Sequence, residues 1–375
     1  MPSKIRKRGE NSYELCVTSG YGPDGKQILH RKTVIANSTR EVEKLYSLYV
    51  AEVAKGEAAT SGKMNLIDFF AYWETNHAKK HHEIKTIVYN RALFKRIKAA
   101  LGLMRIDHLQ PKHLLKFYAN LAEPGVNENG GSLSPNTIKK YHTFLHSLLK
   151  MAVQWQLIPF NPADKVTAPK ASKKVKYIYD EATLARFLEC LSGEVLVHRC
   201  QIFVALAIGL RRGELFGLEW GHVNFDNGTI LIEQSSVTLS KSADDVQDLK
   251  HQGTFTKGTK TEGSRRLITV PTSVIDLLKQ YKTAQATRRL ELGEKWRPSV
   301  PTNEKIIETE RLFTTWNGLA AHPDGMNTWL RKFTIKNTLP HITPHAFRHM
   351  AATFMLDDGV DLRTVAGKLG HASTN

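Results

Sequence analysis

Five basic residues in four short motifs are the side chains of this 375-residue sequence best suited to chemistry on an anion. Arg211 sits in Gly209-Leu210-Arg211-Arg212-Gly213-Glu214-Leu215, and Lys260 in Lys260-Thr261-Glu262-Gly263-Ser264-Arg265-Arg266. His345 and Arg348 share Thr343-Pro344-His345-Ala346-Phe347-Arg348-His349, and His371 ends Leu369-Gly370-His371. The third motif is the most readable. Thr343 is a good N-cap and Pro344 a good first helical residue, which puts His345 and Arg348 one turn apart on one face at the start of a helix. Free backbone N–H groups, the helix dipole, an imidazole and a guanidinium would there address one phosphate. Phe347, Ala351, Phe354 and Met355 are expected to fill the buried side, leaving His345 and Arg348 off the core.

The other motifs are less specific when each is taken alone. Arg211 and Arg212 follow the apolar run Val197 to Leu210, which predicts a buried helix, and cations near a helix C-terminus are favourable whatever the function. Lys260 falls among the strand-like runs Thr229 to Val237, Thr254 to Phe255 and Arg266 to Val270. There it would either reach a ligand over the sheet or keep an exposed edge soluble, and Lys257 competes for the same part. Asp361 caps a short helix ending at Gly370, with His371 in the turn beyond. His345 and His349 have the spacing of a zinc pair, but no adjacent glutamate or third ligand accompanies them, so no metal site is expected. His77, His81, His82 and Glu83 read as a solvated cluster. Cys16, Cys190 and Cys200 are odd in number and lack metal-ligand spacing, which fits reduced thiols in the cytosol.

These motifs need a framework, and the length implies two or three domains. Hydrophobic residues make up 41% and aromatic residues 9%, enough for well-packed globular units. No apolar run approaches the roughly 20 residues that span a bilayer, and the basic start Met1 to Arg8 lacks the apolar segment of an export signal. The formal charge of +17 points to an anionic partner, nucleic acid before a membrane surface.

Along the chain, residues 1–60 read as a small sheet with a helix: Tyr13, Leu15 and Val17 on one face, a turn at Pro23-Asp24-Gly25, a strand from Ile28 to Ile35, and a helix opened by Ser38 and Glu41 as a capping box. Residues 63–169 read as helical throughout. Leu66, Phe69, Phe70 and Trp73 mark the first helix; the others run from about Thr86 to Gly102, from Pro111, and from Ser134-Pro135. Lys85, Arg91, Lys95, Arg96, Lys139 and Lys140 are expected on outward faces, where they suit DNA phosphates or simply solvent. Residues 163–176 read as an extended basic linker that includes Lys173 and Lys174. Residues 177–375 mix helices with a small antiparallel sheet and carry the chemistry.

In this order and context the motifs resemble those of the tyrosine recombinases, the phage integrase family, over the chain from about residue 63 to its end. The N-terminal unit is similar to the arm-binding domain of integrases of conjugative transposons and temperate phages of Gram-positive bacteria. The resemblance implies a multidomain protein: a three-stranded sheet plus helix that binds arm-type sites, an all-α SAM-like core-binding domain, and a mainly α catalytic domain with a small antiparallel sheet. It implies integration and excision of a mobile element by phosphotyrosine transesterification on duplex DNA, without cofactor. Arg211 and Arg348 would grip the nonbridging oxygens, His345 and His371 would donate hydrogen bonds, and Lys260 would protonate the departing 5′ oxygen. The implied partners are double-stranded DNA, three further copies in a homo-tetramer, and an accessory DNA-bending protein or excisionase, in a bacterial cytoplasm at the nucleoid.

The family places its nucleophilic tyrosine about ten residues beyond the last histidine, on a short helix of its own, whereas the sequence ends at Asn375. Tyr177, Tyr179 and Tyr281 lack that context. The 375-residue chain is therefore expected to bind DNA without cleaving it and to assemble weakly. Alternatives are a type IB topoisomerase, disfavoured by the arm-like unit and separate helical domain, and a non-catalytic DNA-binding regulator of recombination sites, which leaves the phosphate-binding motifs unexplained. An RNA-binding protein would need an RNP-like motif or GXXG loop in the expected setting.

Overall fold

The computed structural model describes residues 5–21, 27–54, 64–127, 129–170, 178–239, 253–258, 265–301, 306–308 and 310–370. The turn at Pro23-Asp24-Gly25 and Lys173, Lys174, Tyr177, Lys260 and His371 lie outside the described residues. Two compact units divide the chain, Met1–Lys173 and Lys174–Asn375. Among the described residues no helix is long and apolar enough to cross a membrane.

The first unit opens with an antiparallel sheet of strands β1 (Ile5–Lys7), β2 (Ser12–Tyr21) and β3 (Gln27–Ile35) in that order. Alternation along β2 turns Leu15 and Val17 inward, onto Val42, Tyr49 and Val53 of helix α1 (Thr39–Ala54). The Ser38 hydroxyl accepts from the Glu41 N–H at 3.3 Å, and Glu41 accepts from the Asn37 N–H at 3.0 Å. The expected capping box is thus displaced by one residue on its return arm.

A separate helical core follows, of α2 (Leu66–Trp73), α3 (Ile84–Leu101), α4 (Pro111–Leu121) and α5 (Pro135–Gln154). The starts at Pro111 and Ser134-Pro135 match the cap signals, with Ser134 accepting from Thr137 N–H at 3.3 Å and each proline opening a helix, and Asn65 caps α2 by accepting from Asp68 N–H at 2.9 Å. Phe70 stacks on Phe94 at 3.8 Å between centroids and binds α2 to α3. Helix α2 runs on into a wider π turn, Glu74–Ala78, and one α turn, Lys79–His81, which the spacing of apolar residues does not signal.

The expected linker at 163–176 begins later than its composition suggests. Ala163 and Val166 are buried in the helical core, Pro162–Lys165 form a 3-10 turn, and Asn161 donates to the His146 carbonyl at 3.1 Å. Two apolar side chains among the lysines suffice to hold this stretch against α5.

The second unit begins with α6 (Glu181–Ser192), α7 (Leu196–Ile208) and α8 (Arg212–Gly217). Strands β4 (Val223–Asn224), β5 (Thr229–Ile232), β6 (Gln234–Leu239), β7 (Gly253–Gly258) and β8 (Arg266–Thr269) follow. They make two antiparallel sheets, β4-β5-β8 and β6-β7. Next come α9 (Thr272–Leu292), the pair β9 (Ser299–Pro301) and β10 (Ile306–Glu308), α10 (Gly325–Lys336), α11 (Pro344–Asp357) and α12 (Leu362–Leu369). Phe187, Ile202, Leu278, Phe313 and Phe347 are wholly buried in one core around α7. Cys200 lies in that core, where burial pushes its thiol up to about 12, so it behaves as a small apolar residue.

Candidate active site

Helix α7 ends because Gly209 adopts a left-handed conformation, with φ of 62°, and caps it. The chain then turns into α8 with Arg211 as its N-cap residue. Glu214, one turn on, accepts from the Arg211 backbone N–H at 3.0 Å and from its guanidinium at 2.7 Å. The second carboxylate oxygen also accepts from Nη2 of Arg266, the first residue of β8, at 2.8 Å. Arg211 and Arg266 therefore share one buried carboxylate. Glu214 thereby orients Arg211.

Arg348 enters from the first turns of α11 and is 4% exposed. Its Nη1 donates to the Gly209 carbonyl at 2.7 Å and its Nη2 to the Leu369 carbonyl at 2.6 Å. Arg266 donates through Nε to the Lys368 carbonyl at 2.7 Å, and Arg211 through Nη2 to the Gly370 carbonyl at 3.0 Å. Three successive carbonyls at the C-terminus of α12 thus take three different arginines. A helix end has carbonyls with no partner of their own and the negative pole of the dipole, which explains the attraction. Gly370, with φ of 69°, closes α12 in a left-handed turn directly before His371.

Three guanidinium charges against one carboxylate leave the cluster cationic. Burial alone would raise the Glu214 carboxyl, but hydrogen bonds and charge from Arg266 and Arg211 outweigh it and hold the group below its ordinary value. Burial, reinforced by the charges of Arg211 and Arg266, brings Arg348 down to about 10, still a cation at neutral pH. The Arg211 side chain keeps 45% of its surface exposed, so it is the arginine that presents charge outward.

Arg348 and His345 are divided between inside and outside. His345 is exposed and lies beside His349, ring centroids 4.6 Å apart, while Arg348 is in the core. Arg348, expected off the core, is buried because its guanidinium exchanges water for two backbone carbonyls. Phe354, expected inside, is 38% exposed. Arg212 pairs with Asp324 at the surface. Lys257 lies on β7 opposite Ser235, whose hydroxyl faces Gly213 two residues from Arg211.

Two residues of the site were not singled out by sequence. Arg266 belongs to the Lys260 motif, and its signal is a charge opening the otherwise apolar strand Leu267 to Val270. Arg311, 2% exposed, donates to the Gly217 carbonyl and to the Thr256 hydroxyl, tying the end of α8 to β7. An arginine directly before the buried Leu312-Phe313 was its only mark.

In the helical unit, Lys85, Lys95, Lys139 and Lys140 are exposed and Arg96 is half-buried. Arg91 departs from the expected outward set. It forms a two-pronged pair with Glu74, 2.8 and 2.7 Å, with 12% of each side chain exposed, because the π turn swings Glu74 onto α3. The histidine cluster is partly solvated, with His81 and Glu83 exposed and His77 and His82 half-buried. His77 lies against Trp73, His81 and His82, and burial with the neighbouring imidazoles keeps His77 below its ordinary value. Among the described residues no group of three or more His, Cys, Asp or Glu could hold a metal ion.

Residues 178–375 match the phage integrase family, and residues 65–168 match the phage integrase SAM-like domain. The chain is 26% identical over 378 residues to a XerC-like tyrosine recombinase of Caldanaerobacter subterraneus, spanning 98% of this chain and 91% of that one. It is 22% identical to the ICEBs1 integrase of Bacillus subtilis, spanning 98% and 92%. Its fold is similar to that of the Tn1549 transposon integrase solved with circular intermediate DNA, with a TM-score of 0.66 and 19% identity over 83% of this chain and 92% of that one. It is also similar to a lambda integrase dimer solved on a COC' core site, with a TM-score of 0.58 and 13% identity over 100% and 93%.

Proposed function

The chain belongs to the phage integrase family, and from that premise we propose that it serves site-specific DNA recombination, integrating and excising a mobile element by phosphotyrosine transesterification. The observation that carries this reading is the arginine cluster around Glu214, cationic after neutralisation and outward-facing at Arg211. Residues 1–60 would bind arm-type sites, residues 63–169 the core site, and residues 177–375 would act on the scissile phosphate.

In the reaction a tyrosine oxygen attacks phosphorus, the bond to the 5′ oxygen breaks, and a phosphotyrosine ester forms; attack by a 5′ hydroxyl reverses both steps. Arg211 and Arg348 hold the two nonbridging oxygens, His345 and His371 donate to them, and Lys260 gives its proton to the departing oxygen. Each preorganised donor of this kind supplies roughly 3 to 4 kcal/mol in a site that excludes water. Arg348 has five N–H groups, and its two carbonyl partners fix the plane in which the rest point.

Assembly as a tetramer on DNA, help from a bending protein or excisionase, and a place at the bacterial nucleoid complete the proposal. The nucleophile is not among residues 1–375 in the family's position, so a polypeptide of those residues should bind recombination-site duplex without an SDS-stable adduct. The test is a nicked suicide duplex carrying the element's end. Salt-sensitive binding and no adduct fit the proposal, while an adduct formed by residues 1–375 overturns its account of the nucleophile. Loss of an adduct in a longer polypeptide on Lys260→Ala substitution would separate a recombinase from a regulator that only binds.

A further inference from the structure

The helical part of the first unit contains a cleft of about 450 Å³ between α3 and α5. Trp73 and Phe144 form its apolar floor, Tyr89 and His82 stand at its walls, and Lys139 and Lys140 lie at its edge. No carboxylate lines it. The volume is that of a small-ligand site, and an apolar floor with a few polar groups is the usual build of one.

Two of the residues that line it carry buried polar atoms. Trp73 is 3% exposed, and its indole Nε1 is buried with no hydrogen-bond partner among the described residues; the Nδ1 of His82 is buried in the same condition. An indole N–H can only donate, so one of the residues lining the cleft carries a donor without an acceptor. Asn90, 8% exposed, adds an amide that can donate and accept along one edge, the pattern that reads a purine. Aromatic rings take the flat face of a base, and paired ammonium groups take its phosphate.

We propose that this cleft holds one unstacked nucleotide, its base against Tyr89 and the Trp73–Phe144 floor and its phosphate on Lys139 and Lys140. Contact with the outside of a paired duplex would use the lysines and leave the aromatic lining of the cleft unfilled. The nucleotide has two sources, a base turned out of bound DNA or a free nucleotide. The first source rests on the recombination reading above; the second does not.

The test titrates the purified chain with deoxyadenosine monophosphate, inorganic phosphate, a fully paired duplex, and the same duplex with one unpaired adenosine. Calorimetry gives affinity, and the indole N–H resonance lost in Trp73→Phe identifies Trp73. The proposal expects the mononucleotide to move that resonance, or the unpaired duplex to bind more tightly than the paired one. It also expects Tyr89→Ala to weaken that binding roughly tenfold, one stacking contact's worth. Tyr89 is 44% exposed, so the substitution spares the core. A response to the free nucleotide identifies an effector, and a response to the unpaired duplex alone identifies a DNA base. Equal competition by inorganic phosphate, or insensitivity of both ligands to Tyr89→Ala, overturns the cleft. Failure to bind the paired duplex while the mononucleotide still binds overturns the recombination reading and spares the cleft.

Discussion

Arg266 donates to the Glu214 carboxylate at 2.8 Å, with 7% and 5% of the two side chains exposed, and so joins the first residue of β8 to the buried turn of α8. Removing one member of such a pair leaves its partner charged and out of water. Glu214→Gln should therefore destabilise the second unit by about 3 kcal/mol, a fall of roughly 6 to 12 °C in its melting transition. Calorimetric melting checks this, and a fall of less than 2 °C would mean that the arginines are relieved by solvent.

The same carboxyl gives the unit a dependence on acid. Its value in the folded chain lies below the ordinary 4.5, so the unfolded chain binds the proton more readily. Its stabilising contribution is complete above about pH 5 and is lost as the pH falls through 4.5 toward the folded value. The stability gap between the natural sequence and Glu214→Gln should accordingly shrink between pH 5 and pH 3. Denaturant midpoints for both proteins at three pH values measure it. A gap that stays constant would show that Glu214 is not ionised in the fold.

The sequence carried the helices and the order of the motifs more clearly than the arrangement of the site. Asn65, Pro111, Ser134-Pro135 and Asp361 announce helix starts through local hydrogen bonding and fixed backbone angles, which nearby residues settle by themselves. Glu214 lies one turn from Arg211, so their pairing is local to one motif. The burial of Arg348 and the place of Arg266 were not legible, since their acceptors, carbonyls 21 and 102 residues away and for Arg266 also the Glu214 carboxylate 52 residues away, have no local signature in sequence. Arg91 misled for a related reason. Its partner Glu74 comes into reach only through a π turn that apolar spacing cannot reveal.

The Arg91–Glu74 pair leads to a contrast between two cations of the same unit. Arg91→Ala should unfold the helical part more readily, by about 2 kcal/mol, because Glu74, at low exposure, is left with the more distant Lys79 ammonium 3.9 Å away. Lys139→Ala should leave melting unchanged within about 0.5 kcal/mol, as a surface substitution. It should weaken duplex binding evenly across sequences and reduce the salt slope by about 1. Melting curves and binding isotherms at several salt concentrations separate the two. A loss of salt slope in Arg91→Ala with unchanged melting would return Arg91 to the DNA-facing set.

Gly209 joins the geometry of the arginine cluster to the packing beneath it. Its φ of 62° is a conformation that a residue with Cβ holds at a cost of about 1 kcal/mol. A Cβ there would also lie 2.5 Å from Cδ2 of Leu369 and 3.3 Å from Cβ of Ala351. Leu369 is 2% exposed and cannot swing aside, which adds about 1 to 3 kcal/mol of overpacking. Gly209→Ala should therefore destabilise the second unit by roughly 2 to 4 kcal/mol. It should also loosen Arg348, because the carbonyls of Gly209 and Leu369 are the two that hold its guanidinium. A double-mutant cycle with Leu369→Ala separates the two causes. Without the leucine side chain the clash is gone and the backbone strain remains, so Gly209→Ala should then cost about 1 kcal/mol. An unchanged cost in that background would place the whole effect in the backbone of residue 209 and none in its contact with α12.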